Sequence, residues 1–219
     1  VGLTYSDPVL DGSTIAKAAY VAFRSGSSTA PVLRTVEAVA ATGVATVVMT
    51  YWTPIEQYGV DRFAADLASA GGSGMITPDL LPDEAEPWLA ASDACQLDRT
   101  FLVAPSSTDE RIALTTRFCR GFVYATSVMG VTGSRTQTSA LAPKLVARTR
   151  AHTDLPIGVG LGVSNADQAA EVAGDADAVI VGSAFVRSVL EARGVTDEAR
   201  GVCALAAELA AGVRRRVAR

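Results

Sequence analysis

The sequence has little of what most often carries catalysis or binds metal. Among its 219 residues there is one histidine and there are three cysteines. Cys95, Cys119 and Cys203 are odd in number and far apart, with no C-x-x-C spacing. Neither a disulfide framework nor a zinc site is indicated, and a reducing cytoplasm fits. His152 lies in Arg150-Ala151-His152-Thr153-Asp154, ahead of an apolar run rather than behind one. That position argues against imidazole catalysis and against a His-ligated metal. Lys17 and Lys144 fall in helical stretches, so no lysine stands ready for Schiff-base aldol chemistry. No apolar run reaches the roughly 18 residues of a membrane span, and no signal-peptide pattern opens the chain. A net charge of −4 gives no reason to expect nucleic acid or an anionic membrane as partner. The one basic cluster, Arg214-Arg215-Arg216, reads as the solvated last turn of a terminal helix, favoured by the helix dipole. Any acid–base work is left to carboxylates.

What the chain has is apolar residues, 49% of the total, enough for one large core and a single domain over 1–219. Val44–Met49 is a continuous apolar run with one Thr, as expected of a strand covered on both faces. Phe101–Ala104, Gly121–Ala125, Ile157–Val159 and Ala178–Val181 repeat the pattern, and Gly74–Thr77 does so more weakly. Helical stretches alternate with these runs. Pro31–Ala41 carries Val32, Leu33, Val36, Val39 and Ala40 on one face. Ser107-Thr108-Asp109-Glu110 has the form of a capping box for a helix over about 108–118. Ser164-Asn165-Ala166-Asp167 caps an alanine-rich helix to Ala173, and a last helix covers 197–215. Such alternation predicts βαβ units and a parallel sheet, here a (β/α)8 TIM barrel.

The count falls short of a whole barrel. With Val1–Thr4 the chain has about seven strands, whereas a barrel has eight and about 250 residues. Val1-Gly2-Leu3 also reads as the end of a strand rather than the start of a domain. The expectation is therefore a barrel lacking its first strand and helix, with further sequence upstream in the natural protein.

Barrel enzymes place their working residues on the loops after the strands. The first such loop, Tyr5–Thr14, holds Asp7 and Asp11. Either Asp7 makes an Asx turn into Pro8 and Asp11 opens a turn or caps the next helix, or one of them faces the barrel mouth and meets substrate. Three later strand ends are rich in glycine: Met129–Ser134, Gly158–Val163 and Val181–Ala184. Glycines let backbone N–H groups approach an anion, and a helix amino end adds partial positive charge. A phosphate site after the seventh and eighth barrel strands is predicted, the alternative being that the glycines only make tight turns.

These motifs together resemble the tryptophan synthase alpha subunit family. The resemblance rests on Tyr-Ser-Asp-Pro-x-x-Asp-Gly-x-Thr at 5–14, Met-Thr-Tyr-Trp at 49–52 and Thr77-Pro78-Asp79. It continues through Gly130-Val131-Thr132-Gly133, Gly160-Leu161-Gly162-Val163 and Val181-Gly182-Ser183-Ala184. It implies a lyase cleaving indole-3-glycerol phosphate to indole and glyceraldehyde 3-phosphate, a retro-aldol step without metal or organic cofactor in this chain. Asp11 matches the aspartate that hydrogen-bonds the indole N–H, and Tyr124 a tyrosine at the active-site end of the sixth strand. Thr132 and Gly133 match a lid. Gly133, Gly162, Gly182 and Ser183 match the phosphate donors, while Met49, Tyr51, Val103 and Leu161 match the indole pocket. The implied partner is a pyridoxal-phosphate beta subunit in an alpha2beta2 assembly, facing Asp7, Pro8 and a loop over Thr53–Tyr58.

The chain departs from the family in three ways. The family's catalytic glutamate immediately precedes the position of Val1, Thr4 replaces a usual proline, and Thr53 replaces a usual asparagine near the partner-facing loop. The alternatives are a barrel that binds ligand and activates a partner without catalysis, or another phosphosugar barrel enzyme.

Overall fold

The computed structural model describes residues 1–6, 10–126, 141–160 and 162–215. The lid motif with Thr132 and Gly133, the pocket residue Leu161, and Asp7, Pro8 and Arg216 lie outside the described residues.

Helices α1 (Ser13–Arg24) and α2 (Thr29–Ala40) precede β1 (Val47–Met49). Then come α3 (Trp52–Tyr58), α4 (Val60–Ser69), β2 (Gly74–Ile76) and, after a 3-10 turn at Pro82–Glu84, α5 (Glu86–Ala94). Next are β3 (Asp98–Thr100), β4 (Leu102–Val103), α6 (Asp109–Phe118), β5 (Val123–Thr126) and α7 (Leu141–Arg150). The chain closes with β6 (Ile157–Gly160), α8 (Ala166–Ala173), β7 (Ala178–Ile180), α9 (Ser183–Glu191) and α10 (Val195–Arg215).

Every strand pairs in parallel with its neighbour in sequence, as β1-β2-β3 and β4-β5-β6-β7. β3 and β4 are two halves of one extended run parted at Phe101. The first half pairs with β2 and the second with β5, the stagger expected of tilted barrel strands. Hydrogen bonds cross the join: Thr77 N donates to Thr100 O and Tyr124 N to Phe101 O, both at 3.3 Å. Ahead of β1 the expected strand Val1–Thr4 is reduced to a parallel bridge between Gly2 and Met49, with Leu3 N donating to Met49 O at 3.1 Å. Parallel strands in chain order, with helices between them, make this an α/β fold of the (β/α)8 barrel type.

Alternation along the strands sorts side chains between the helix layer and the barrel interior. Val48, Met75 and Phe101 join Val36, Phe63, Leu67 and Trp88 in one buried cluster. Val103, Val123, Ala125, Ile157 and Val159 join Ile112, Leu145 and Leu209 in a second. By parity Met49, Ile76, Thr100, Leu102, Tyr124 and Gly160 face inward. Each large side chain fully buried in these clusters contributes about 1.5–3 kcal/mol.

The predicted caps form. Thr108 accepts from Arg111 N at 3.2 Å, and Asn165 accepts from Gln168 N at 3.0 Å. Gln168 reaches back to accept from Ser164 N at 2.8 Å. Two expectations are corrected. Residues 53–58 belong to helix α3 rather than a loop, because Ile55 is fully buried and Asp79 supplies an acceptor at the amino end. The strand at Val44–Met49 starts only at Val47, Val44 being 60% exposed. Arg215 is exposed in the last turn of α10, as expected, and pairs there with the exposed Asp167 at 2.8 Å.

Candidate active site

Asp11 stands between the first strand segment and α1. Gly12, not Asp11, occupies the cap position of that helix, and no side chain caps it. The capping alternative for Asp11 is thereby removed. Asp11 is half-buried, and burial holds its carboxyl above the ordinary value of 3.8.

Tyr51 ties this loop to β1. Its hydroxyl accepts from Leu10 N at 2.9 Å, and its ring lies 5.5 Å from that of Tyr5. Tyr51 is 7% exposed, and burial is the main reason its phenol is pushed up. The nearby carboxylates of Asp11 and Asp79 push the same way, while the Leu10 N–H pulls it down. Met49, two residues earlier, is on the inner face of β1 and 37% exposed. Asp79 accepts from Trp52 N through both carboxylate oxygens, at 3.0 and 3.1 Å.

On the opposite strands Tyr124 rises from the inner face of β5, and burial pushes its phenol up. It lies across Gly160, where an added methyl group would overlap the Tyr124 hydroxyl. Gly158 makes similar room, for Ile180 and Phe122. These two glycines therefore admit side chains into the barrel. Gly162 is different: its φ of +67° suits glycine and turns the chain after β6. Gly160 pairs with Ile180, so Gly162 and Gly182 each stand two residues beyond that pair. Gly182 caps α9 and Ser183 begins it, with Val186 N donating to Gly182 O at 3.1 Å. First-turn N–H groups of a helix have no acceptor within the helix and carry its partial positive charge.

Gly162 thus follows strand end β6, Gly182 and Ser183 follow the adjacent strand end β7, and Tyr51, just after β1, holds the loop that carries Asp11. Val103 is not with them. It is fully buried in the helix-facing cluster, and its strand turns Leu102 inward instead. A one-residue shift along a strand exchanges its faces, which is why the motif match missed it. The sequence alone assigns Asp79 no role, although Thr77-Pro78-Asp79 stands out as a motif. Its signal is a carboxylate following a strand end, beside a helix whose own cap residue is a tyrosine.

Among the described residues no group of three or more His, Cys, Asp or Glu side chains could hold a metal ion. No helix among them is long and apolar enough to cross a membrane.

The family model for the tryptophan synthase alpha chain matches residues 1–214. A tryptophan synthase alpha chain of Acidothermus cellulolyticus is 72% identical over 215 residues, which are 98% of this chain and 80% of the relative. That of Thermobifida fusca is 60% identical over 217 residues, again 98% of this chain and 80% of the relative. Among solved structures, a tryptophan synthase of Mycobacterium tuberculosis superposes with a TM-score of 0.90 at 55% identity. It covers 99% of this chain and 80% of that one. A mutant alpha subunit from Pyrococcus furiosus reaches 0.86 at 28% identity, over 95% of this chain and 84% of its own. With the motifs, the strand order and the loop geometry in agreement, the chain belongs to the tryptophan synthase alpha chain family.

Proposed function

We propose that the chain cleaves indole-3-glycerol phosphate to indole and glyceraldehyde 3-phosphate. The observation that supports the proposal is a half-buried carboxylate, Asp11, on the loop that Tyr51 ties to the end of β1. Gly162, Gly182 and Ser183, at the ends of later strands, have the turn and helix start that suit a backbone anion site. In this reading the substrate phosphate takes N–H groups at those three residues, with Gly133 as a further donor and Thr132 in the lid above. The indole ring lies among Met49, Tyr51, Tyr124 and Leu161. Leu102 replaces Val103 in that lining, since it is the inward side chain of its strand.

The chemistry follows from charge. Protonating C3 of the ring places positive charge on the indole nitrogen. The Asp11 carboxylate accepts the N–H hydrogen bond and stabilises that charge. Loss of the proton from the adjacent carbinol hydroxyl then breaks its carbon–carbon bond to C3. The bonding pair returns to the ring, and the carbinol becomes the aldehyde. An acid–base group must deliver and remove those protons; in the family this is the glutamate ahead of the Val1 position. No cofactor takes part in this chain, and pyridoxal phosphate belongs to the beta subunit that receives the indole. The α3 surface with Thr53, together with Asp7 and Pro8, faces that subunit in an alpha2beta2 assembly within the cytoplasm.

The test is indole release from indole-3-glycerol phosphate, with and without a beta subunit, by the chain and by Asp11→Asn. We expect a loss of about a hundredfold or more in kcat for the variant, the scale of removing one preorganised charge-stabilising group. Equal turnover by the two would overturn the assignment.

A further inference from the structure

Asp79 lies outside the groups assigned to substrate, yet its contacts lead to Asp11. Trp52 and Asp79 each stand three residues beyond a paired strand position, Met49 and Ile76, on adjacent parallel strands. Both oxygens of Asp79 take the Trp52 N–H. Helix α3 has only seven residues, and the side chain of its cap residue Tyr51 makes no hydrogen bond to its amino end. So short a helix is marginal alone, and a carboxylate at its amino end favours it through both hydrogen bond and dipole. Tyr51 directly precedes that fixed turn. Its hydroxyl takes the N–H of Leu10, the residue before Asp11, and its ring packs on Tyr5.

We propose that Asp79 is a positioning residue for Asp11: it fixes the amino end of α3, and with it the Tyr51 hydroxyl that holds the Leu10–Asp11 backbone. The inference rests on Asp11 being the reacting carboxylate. Its test therefore reads geometry rather than turnover.

Labelled samples of the 219-residue chain carrying Asp79→Ala, Asp79→Asn and Tyr51→Phe are compared with the unmodified chain. Amide hydrogen exchange at Leu10 and Ile55 and the carbon-13 titration of the Asp11 carboxyl are followed by NMR. For Asp79→Ala we expect Leu10 exchange to quicken about tenfold. The Asp11 midpoint should fall toward its ordinary value as the loop loosens into water. Asn and Ala remove the same charge, but Asn keeps an acceptor for Trp52 N–H. Recovery in Asp79→Asn thus reads the hydrogen bond rather than the field. Tyr51→Phe should quicken Leu10 exchange while leaving Ile55 unchanged.

Faster exchange at Ile55 with Leu10 and Asp11 unmoved in Asp79→Ala would reduce Asp79 to a local helix cap and overturn the proposal. If that variant does not fold, unchanged Leu10 exchange in Tyr51→Phe overturns it equally. Undiminished turnover in Asp11→Asn would instead remove the functional assignment and leave these geometric readings intact.

Discussion

A half-buried carboxylate weakens the fold that holds it. Burial raises the Asp11 carboxyl above 3.8, so the folded state binds its proton more tightly than the unfolded chain does. The sign follows from linkage: stability is lost as pH rises from the unfolded value through the raised folded one. Asn carries no charge to desolvate. Asp11→Asn should therefore melt higher than the unmodified chain at pH 7, with the difference vanishing near pH 3, in thermal scans at both pH values. An equal difference at both would show that burial of charge is not the cause. On the role proposed for Asp11 activity has the opposite dependence, since only the ionised form would stabilise the indole nitrogen; the acid limb of kcat/KM should lie above 3.8. A second test at this scale concerns Gly160. A methyl group there overlaps the Tyr124 hydroxyl, so Gly160→Ala should displace that ring. The expected outcome is a large rise in KM for indole-3-glycerol phosphate with a melting temperature lowered by only a few degrees, as for an overpacking cost of about 1–3 kcal/mol. An unchanged KM would show that the ring does not line the substrate site.

Among the elements, α10 against α8 shows how backbone contact is built from sequence. Gly212 lets α10 approach Ala166 so closely that any Cβ would strike backbone. Glu208 accepts from Ala166 N at 3.2 Å, and Arg215 reaches Asp167. Backbone cannot swing aside as a side chain can, so Gly212→Ala should cost about 1–3 kcal/mol, measured by urea denaturation. A cost below a few tenths would mean that the helices separate freely. Neither Gly212 nor Glu208 was legible beforehand, because nothing in a helical stretch says which glycine touches a neighbour. The helix bounds were readable where a side chain caps them, as at Thr108 and Asn165. α3 was not, because its acceptor comes from Asp79, 27 residues away. Most strands followed from apolar runs, but β3 did not, because Asp98-Arg99-Thr100 is polar and pairs by backbone with β2. The inward partner on β4 did not, since a motif carries no record of which face a strand residue takes.

For the whole molecule, the two buried clusters divide the chain almost without overlap. One runs from Leu3 to Phe101 and the other from Val103 to Leu209, so the division falls inside a single extended run. Cys119 packs against both, and burial pushes its thiol up to about 11. At pH 8 Cys203, which is exposed, should react readily with a thiol reagent, while Cys119 stays unlabelled until one cluster opens. Equal labelling of both in the native state would count against this packing. The division also bears on how the molecule is assembled. Among the described residues each strand pairs only with neighbours in sequence, so either side of Phe101 can gain its own core before the other is made. The barrel should come apart as two cooperative units rather than one. Native-state exchange in rising urea should sort the slow amides into two families with separate midpoints, the break lying between Thr100 and Leu102. On a ribosome the residues of the first cluster emerge before Gly162, Gly182 and Ser183, so the proposed phosphate site would be made only after that half of the core.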